Sequence, residues 1–321
     1  MSYTRMTVEK RNQLYAFRQA GFGVRRSARE LGVSPGTVSR ELSRNTGRGG
    51  YRPRQAQEMA EKRARRPKSR KLTEEVKCYA GEKLRAGWTP ERICGRAGLE
   101  GRAHVSRETL YRHICADAKA GGSLWECLPR AGRKRKRRCP RKEGRGRGVI
   151  PGRRGIETRP ASVEARSEAG HWEGGLVAGA GATGHLVTLV ERVTRCPLAG
   201  WPATRGADEV AGVVVGLLSG MGPAVKGITF DNGKEFARHA EMAAALGAEV
   251  FFARPYHSWE RGANENMNGL VRRLYPKGAS LAHITGDGLG RIGAFLRGLP
   301  KKCLGWRTPA EAMAAFLASA A

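Results

Sequence analysis

Apolar residues recur at helical spacing through roughly the first third of the chain and alternate, strand-like, from His171 onward. The chain therefore reads as an all-α N-terminal part joined to an α/β part. Val8, Leu14 and Phe17 predict the inner side of a first helix, and Val24 to Leu31 a short second one. Gly32 supplies a turn. Ser34 is placed to cap a third helix, with Pro35 at its first position, where the missing N–H does no harm. Val38 and Leu42, four apart, turn inward. Thr37, Ser39, Arg40 and Arg44 are left outward, the face that a recognition helix presents to the major groove. An ordinary three-helix bundle is the plainer alternative.

A similar arrangement follows. A helix is predicted over Glu74 to Ala86, and Thr89-Pro90 starts another through Ala97. Ser106 then caps a helix over Arg107 to Ile114. Leu110 and Ile114 face inward there, and Arg107, Thr109 and Arg112 outward. This second bundle is either a further DNA contact or a structural connector. Residues 128–160 are basic and rich in Gly and Pro, and Arg133 to Gly148 holds almost no apolar residue. Such a stretch cannot build a core. It reads as a linker whose Arg135 and Lys136 lie along phosphates. The expected domains are thus 1–50, a helix-turn-helix domain; 70–118, a second helical domain; 119–160, a basic linker; and 161–321, the α/β domain.

In that last part, strands are predicted over 171–180, 185–195, about 197–203, Lys226 to Phe230 and Glu249 to Phe252. Helices are predicted over 207–219, Glu235 to Leu246 and Asn264 to Leu274. Strands followed by alternating helices and strands imply a mixed sheet flanked by helices. Asp231 closes an apolar strand, where α/β sheets place their chemistry. Asp-Asn-Gly is equally a favoured turn sequence. Glu265 opens a helix among Asn264, Asn266 and Asn268, and taken alone is an ordinary solvated residue.

Charge sharpens the picture. Fifty-nine Lys and Arg against 29 Asp and Glu give a formal net charge of +30, a field that draws polyanions. A merely soluble basic protein, a ribosomal protein and a membrane-surface binder share that trait. The coincidence with helix-turn-helix patterns favours nucleic acid. The seven cysteines are scattered with no C-x-x-C pair, which argues against structural zinc and for a reduced compartment. No apolar run reaches membrane-spanning length. A cytoplasmic, nucleoid-associated bacterial protein is expected.

Several longer motifs resemble one family. GHWEGGLV (170–177), ITFDNGKEF (228–236), FARPYHSWERGANENMNGLVRRLYPKG (252–278), KKCLGWRTPAEAM (301–313) and ELGVSPGTVSREL (30–42) are similar, in order, to the insertion-sequence-thirty family of DDE transposases. The resemblance implies a ribonuclease-H-like fold, two Mg²⁺ (or Mn²⁺) ions and three catalytic carboxylates. It implies double-stranded DNA as partner, both the element's terminal inverted repeats and the target, bound by a homodimer or higher oligomer. In an intact member, metal-activated water attacks the phosphodiester at the element's end and the freed 3′-hydroxyl attacks target DNA. Asp231 matches the second carboxylate and Glu265 the third, with 33 residues between them. The first is the Asp closing a Trp-Glu-Gly-Asp motif, and here Gly175 stands in its place. Glycine offers no side-chain oxygen to a pair of ions about 3.5–4 Å apart. Glu173 points to the same strand face but lies about 6–7 Å away, which makes it a weak substitute. Trp259, Arg261 and Asn264 match positions that imply holding DNA beside the metals, although Trp259 is equally suited to a core. The expectation is a transposase impaired at one ligand, or else a non-catalytic DNA-binding protein or repressor derived from one.

Overall fold

In a computed structural model, the structure describes residues 6–65, 71–129, 131, 150–255, 257–284 and 286–320. Residues 1–70 and 71–321 form two compact units. Arg135 and Lys136 lie outside the described residues.

The first unit holds α1 (Val8–Gln19), α2 (Val24–Glu30) and α3 (Pro35–Asn45). A two-residue hairpin, β1 (Thr46–Gly47) and β2 (Gly50–Tyr51), then leads to α4 (Pro53–Arg65). Capping follows the sequence: Thr7 Oγ1 accepts from Lys10 N, and Ser34 Oγ from Thr37 N, with Pro35 in the first turn of α3. Leu14, Ala28, Leu31 and Val38 form the core. Val8, expected inside, is half exposed, and Arg11 is buried instead. The reason is electrostatic. Arg11 Nε donates to Glu41 on α3 at 2.7 Å, and its Nη1 donates to the Met6 carbonyl and to Gln57 of α4. A buried charge is tolerated when paired and hydrogen-bonded. Helix α4 supplies that last acceptor.

The second unit opens with α5 (Glu74–Arg85), α6 (Pro90–Leu99) and α7 (Arg107–Lys119), whose core includes Val76, Leu84, Ile93, Leu110 and Ile114. Then come β3 (Arg154–Gly155), α8 (Ala161–Ala165), β4 (His171–Ala178), β5 (His185–Glu191) and β6 (Pro197–Gly200). They are followed by α9 (Ala207–Ser219), β7 (Gly227–Phe230), α10 (His239–Leu246), β8 (Glu249–Phe252), α11 (Gly262–Leu274), α12 (Gly286–Arg297) and α13 (Pro309–Ala320). α7 runs to Lys119, and Arg154–Gly155 pairs with β8. The helix expected from Glu235 is a 3-10 turn over Lys234–Phe236 followed by α10.

The sheet runs β3-β8-β7-β4-β5-β6. β4, β5 and β6 form an antiparallel meander, while β7 and β8 add in parallel on the other side of β4. This is the strand arrangement of the ribonuclease-H-like fold. Both faces are covered, so β5 is buried at every position. Val187 and Leu189 join Trp172, Ile228 and Phe230 against α9 and α10. Leu186 and Val190 join Val177 against α11 and α12. The alternation read from β5 therefore separates two cores rather than core from solvent. Among the described residues no helix is long and apolar enough to cross a membrane.

Candidate active site

Strand pairing brings the first two family positions together. β4 and β7 run parallel with His171 beside Gly227 and Glu173 beside Thr229. The pairing ends at that pair, and the chain runs on to Gly175 within β4 and to Asp231 just past the end of β7. Asp231 follows the last residue of β7, and its Oδ1 accepts from Gly233 N at 3.0 Å. The Asp-Asn-Gly turn and the strand-end placement are thus both present.

Helix α11 covers this spot on the face shared by Glu173, Gly175 and Val177. Asn264 is fully buried. Its Nδ2 donates to the Thr188 carbonyl at 3.0 Å and to Thr188 Oγ1 at 3.1 Å, fixing it over β5. Its Oδ1 accepts from Asn268 at 3.1 Å and lies only 2.4 Å from where a Cβ on residue 175 would sit. The space that a side chain at 175 would enter is occupied by Asn264.

Arg261 closes the remaining side. Its guanidinium is buried, with Nη2 donating to Asp231 Oδ2 at 2.7 Å and Nη1 to the Gly174 carbonyl at 2.6 Å. A protein cation thus bridges the end of β7 and the middle of β4.

Glu173 is entirely buried and committed elsewhere. Oε1 accepts from Arg192 Nη1 at 2.5 Å, and Oε2 accepts from Ala263 N and Asn264 N, both at 2.9 Å. It caps the first turn of α11 from a neighbouring strand, satisfying N–H groups that a helix start leaves unpaired. Burial lowers the pKa of Arg192 from its ordinary value, and the Glu173 carboxylate opposes that shift. Sequence alone gave no signal for this cap, since its donors lie 90 residues away.

Glu265 lies in the first turn of α11, exposed, with no hydrogen bond or ion pair to another described residue. Trp259 is 68% exposed, its ring 4.5 Å from that of His257, so it is no part of a core. These residues do not fit a two-ion site as they stand. Gly175 has no ligand atom, both Asp231 oxygens already accept hydrogen bonds, and no cluster of three His, Cys, Asp or Glu side chains suited to a metal forms among the described residues.

On α3, Ser39, Arg40 and Arg44 are exposed, as the sequence predicts. Thr37 is half-buried, its hydroxyl 2.8 Å from Ser34 Oγ at the cap. Arg40 folds back through Nε to the Gly36 carbonyl at 2.9 Å. On α7, Arg107 and Arg112 are exposed, Arg112 with Glu108 at 3.2 Å, while Thr109 joins the Ser106 cap.

A helix-turn-helix domain model matches residues 2–45. The whole chain is 38% identical over 313 residues to the transposase for insertion sequence element IS4351 of Bacteroides fragilis, which covers 95% of this chain and 94% of the relative. The chain belongs to the IS30 family of transposases. A second member, the transposase for IS1086 of Cupriavidus metallidurans, is 36% identical to this transposase over 99% of the chain and 96% of its own length. Transposase InsI for IS30A of Escherichia coli is 33% identical, with 95% and 82% covered. Among solved structures, the catalytic core domain of BIV integrase covers 48% of the transposase at 16% identity and a TM-score of 0.37.

Proposed function

We propose that this transposase binds the terminal inverted repeats of its element through α3, and that as it stands it does not carry out metal-dependent strand cleavage. The binding half rests on the exposed Ser39, Arg40 and Arg44 on a capped helix in a strongly basic chain. The catalytic half rests on one observation: the place of the first carboxylate is a glycine whose side-chain space Asn264 fills. Glu173 does not stand in, because both its oxygens are engaged away from Asp231. Asp231 and Glu265 are the two family carboxylates that remain, with Arg261 neutralising the first.

The deciding experiment incubates purified chain with end DNA and Mg²⁺ or Mn²⁺. The unmodified chain is expected to retain the end fragment without nicking it. Gly175→Asp is expected to recover cleavage, with the Asn264 amide giving way to the new carboxylate. Robust nicking by the unmodified chain would overturn the catalytic half. Equal affinity for end and scrambled duplex would overturn the binding half.

A further inference from the structure

A cavity of about 640 Å³ lies within the larger unit between the start of α6, the β5–β6 turn, α11 and the segment after α12. Its wall carries Arg92, Arg166, Arg195, Lys301 and Lys302, with Glu91 the one carboxylate among its lining residues. Lys302 lies 3.7 Å from Glu91, and Arg92 Nε donates to the Pro300 carbonyl. Arg166, Arg195 and Lys301 have no carboxylate within ion-pairing distance among the described residues, and the buried Nε of Arg195 has no hydrogen-bond partner at all. Like charges gathered without counter-ions repel, and a buried donor left unpaired is costly. An anion would relieve both.

Backbone geometry singles out the same place. Four non-glycine residues adopt a left-handed backbone among the described residues, and three of them, Arg166 (φ 56°), Arg195 (φ 61°) and Trp306 (φ 69°), line this cavity. Such conformations are disfavoured for residues with a Cβ and concentrate where structure serves a ligand. Here two of them set the bases of the arginines. Lys301 adds a consistent sign: burial, then the nearby Arg92 and Arg195 guanidiniums, push its pKa down to about 8. The start of α11 cannot be the anion's seat, since Glu173 already accepts from its N–H groups.

We propose that this cavity is a phosphate-binding site that seats a backbone phosphate of the bound DNA, separate from α3 and from the Asp231 site. Guanidinium forks match phosphate oxygens two at a time, and several cations in one recess suit a phosphate better than a carboxylate. The inference rests on the DNA-binding reading above.

The test uses the full chain and two duplexes of equal length, one carrying the inverted repeat and one scrambled, with binding followed by anisotropy across a salt series. Arg195→Gln with Lys301→Gln is expected to weaken both duplexes alike, by about ten-fold, and to lower the salt slope by about one to two units. Binding with an unchanged slope overturns the inference and leaves the DNA reading standing. Failure of the unmodified chain to bind either duplex sinks both. A second measurement needs no variant: acylation of Lys301, read by mass spectrometry, with scrambled duplex, inorganic phosphate or ATP added at constant ionic strength. Protection by duplex supports the assignment. Protection by phosphate or ATP but not by duplex overturns it in favour of a free nucleotide.

Discussion

Glu173 has three partners and no access to water, so its removal is felt twice. Glu173→Ala strands Arg192 without its buried counter-ion and leaves two N–H groups of α11 unsatisfied. Breaking a buried pair from one side costs about 3–5 kcal/mol, so a large drop in the urea midpoint is expected. Glu173→Gln keeps an acceptor for the helix and is expected to lose roughly half as much, about 2 kcal/mol. Equal losses would mean that the capping oxygen contributes nothing. Asn264 behaves differently. It looked in the sequence like one of three asparagines flanking an acidic residue, suited to holding DNA. It is instead buried between the sheet and its own helix. Composition could not show this, because whether an asparagine at that position faces sheet or solvent depends on the rotation of α11, and the trans cap at Glu173 helps to fix it.

At the scale of elements, α6 and α13 meet through a bidentate pair, Arg96 with Glu311, at 2.7 Å on each nitrogen. Trp306 lies against Gly95, where a Cβ would meet the indole at 2.1 Å. Gly95→Ala is therefore expected to displace Trp306 and destabilise the unit by about 1–3 kcal/mol, the usual cost of overpacking. A red-shifted tryptophan emission would report it. The hydrogen bond from Arg96 draws Glu311 down to about 2 from the ordinary 4.5. A carboxylate lowered on folding stabilises fully above 4.5 and loses that contribution as pH falls through about 2. Glu311 is partly exposed, so screening keeps the effect small. Glu311→Gln is expected to flatten the stability curve between those two values. The alternation of β5, the caps at Ser34 and Ser106 and the strand ending at Asp231 were legible, because period and capping are local properties, whereas the burial of both faces of β5 was not. Helices α12 and α13 were not. Their apolar faces, such as Ile292, Leu296 and Met313, become meaningful only against β4–β6 and α9, which lie far away in sequence.

For the molecule as a whole, the +30 charge makes affinity for any duplex steeply salt-dependent. Discrimination between duplexes must come from elsewhere. Arg40→Gln or Arg44→Gln is expected to erode the preference for inverted repeat over scrambled DNA by about 1–3 kcal/mol per lost base contact. Replacing Arg135 and Lys136 is expected to weaken both duplexes equally and to reduce the salt slope by about one unit per residue. If the two classes of variant behave alike, the division between reading and holding is wrong. The order of the family's motifs was plain from the chain. The missing carboxylate at Gly175 was legible there too, whereas the Asn264 amide against residue 175 was not, because it depends on how α11 packs on the sheet.

That filled gap also bears on any attempt to place a carboxylate at residue 175. Gly175→Asp must lodge a carboxylate where an amide, held by Thr188 and Asn268, already sits. That variant is expected to unfold at a lower urea concentration than the unmodified chain, because the Thr188 and Asn268 hydrogen bonds to Asn264 are strained to make room for the carboxylate.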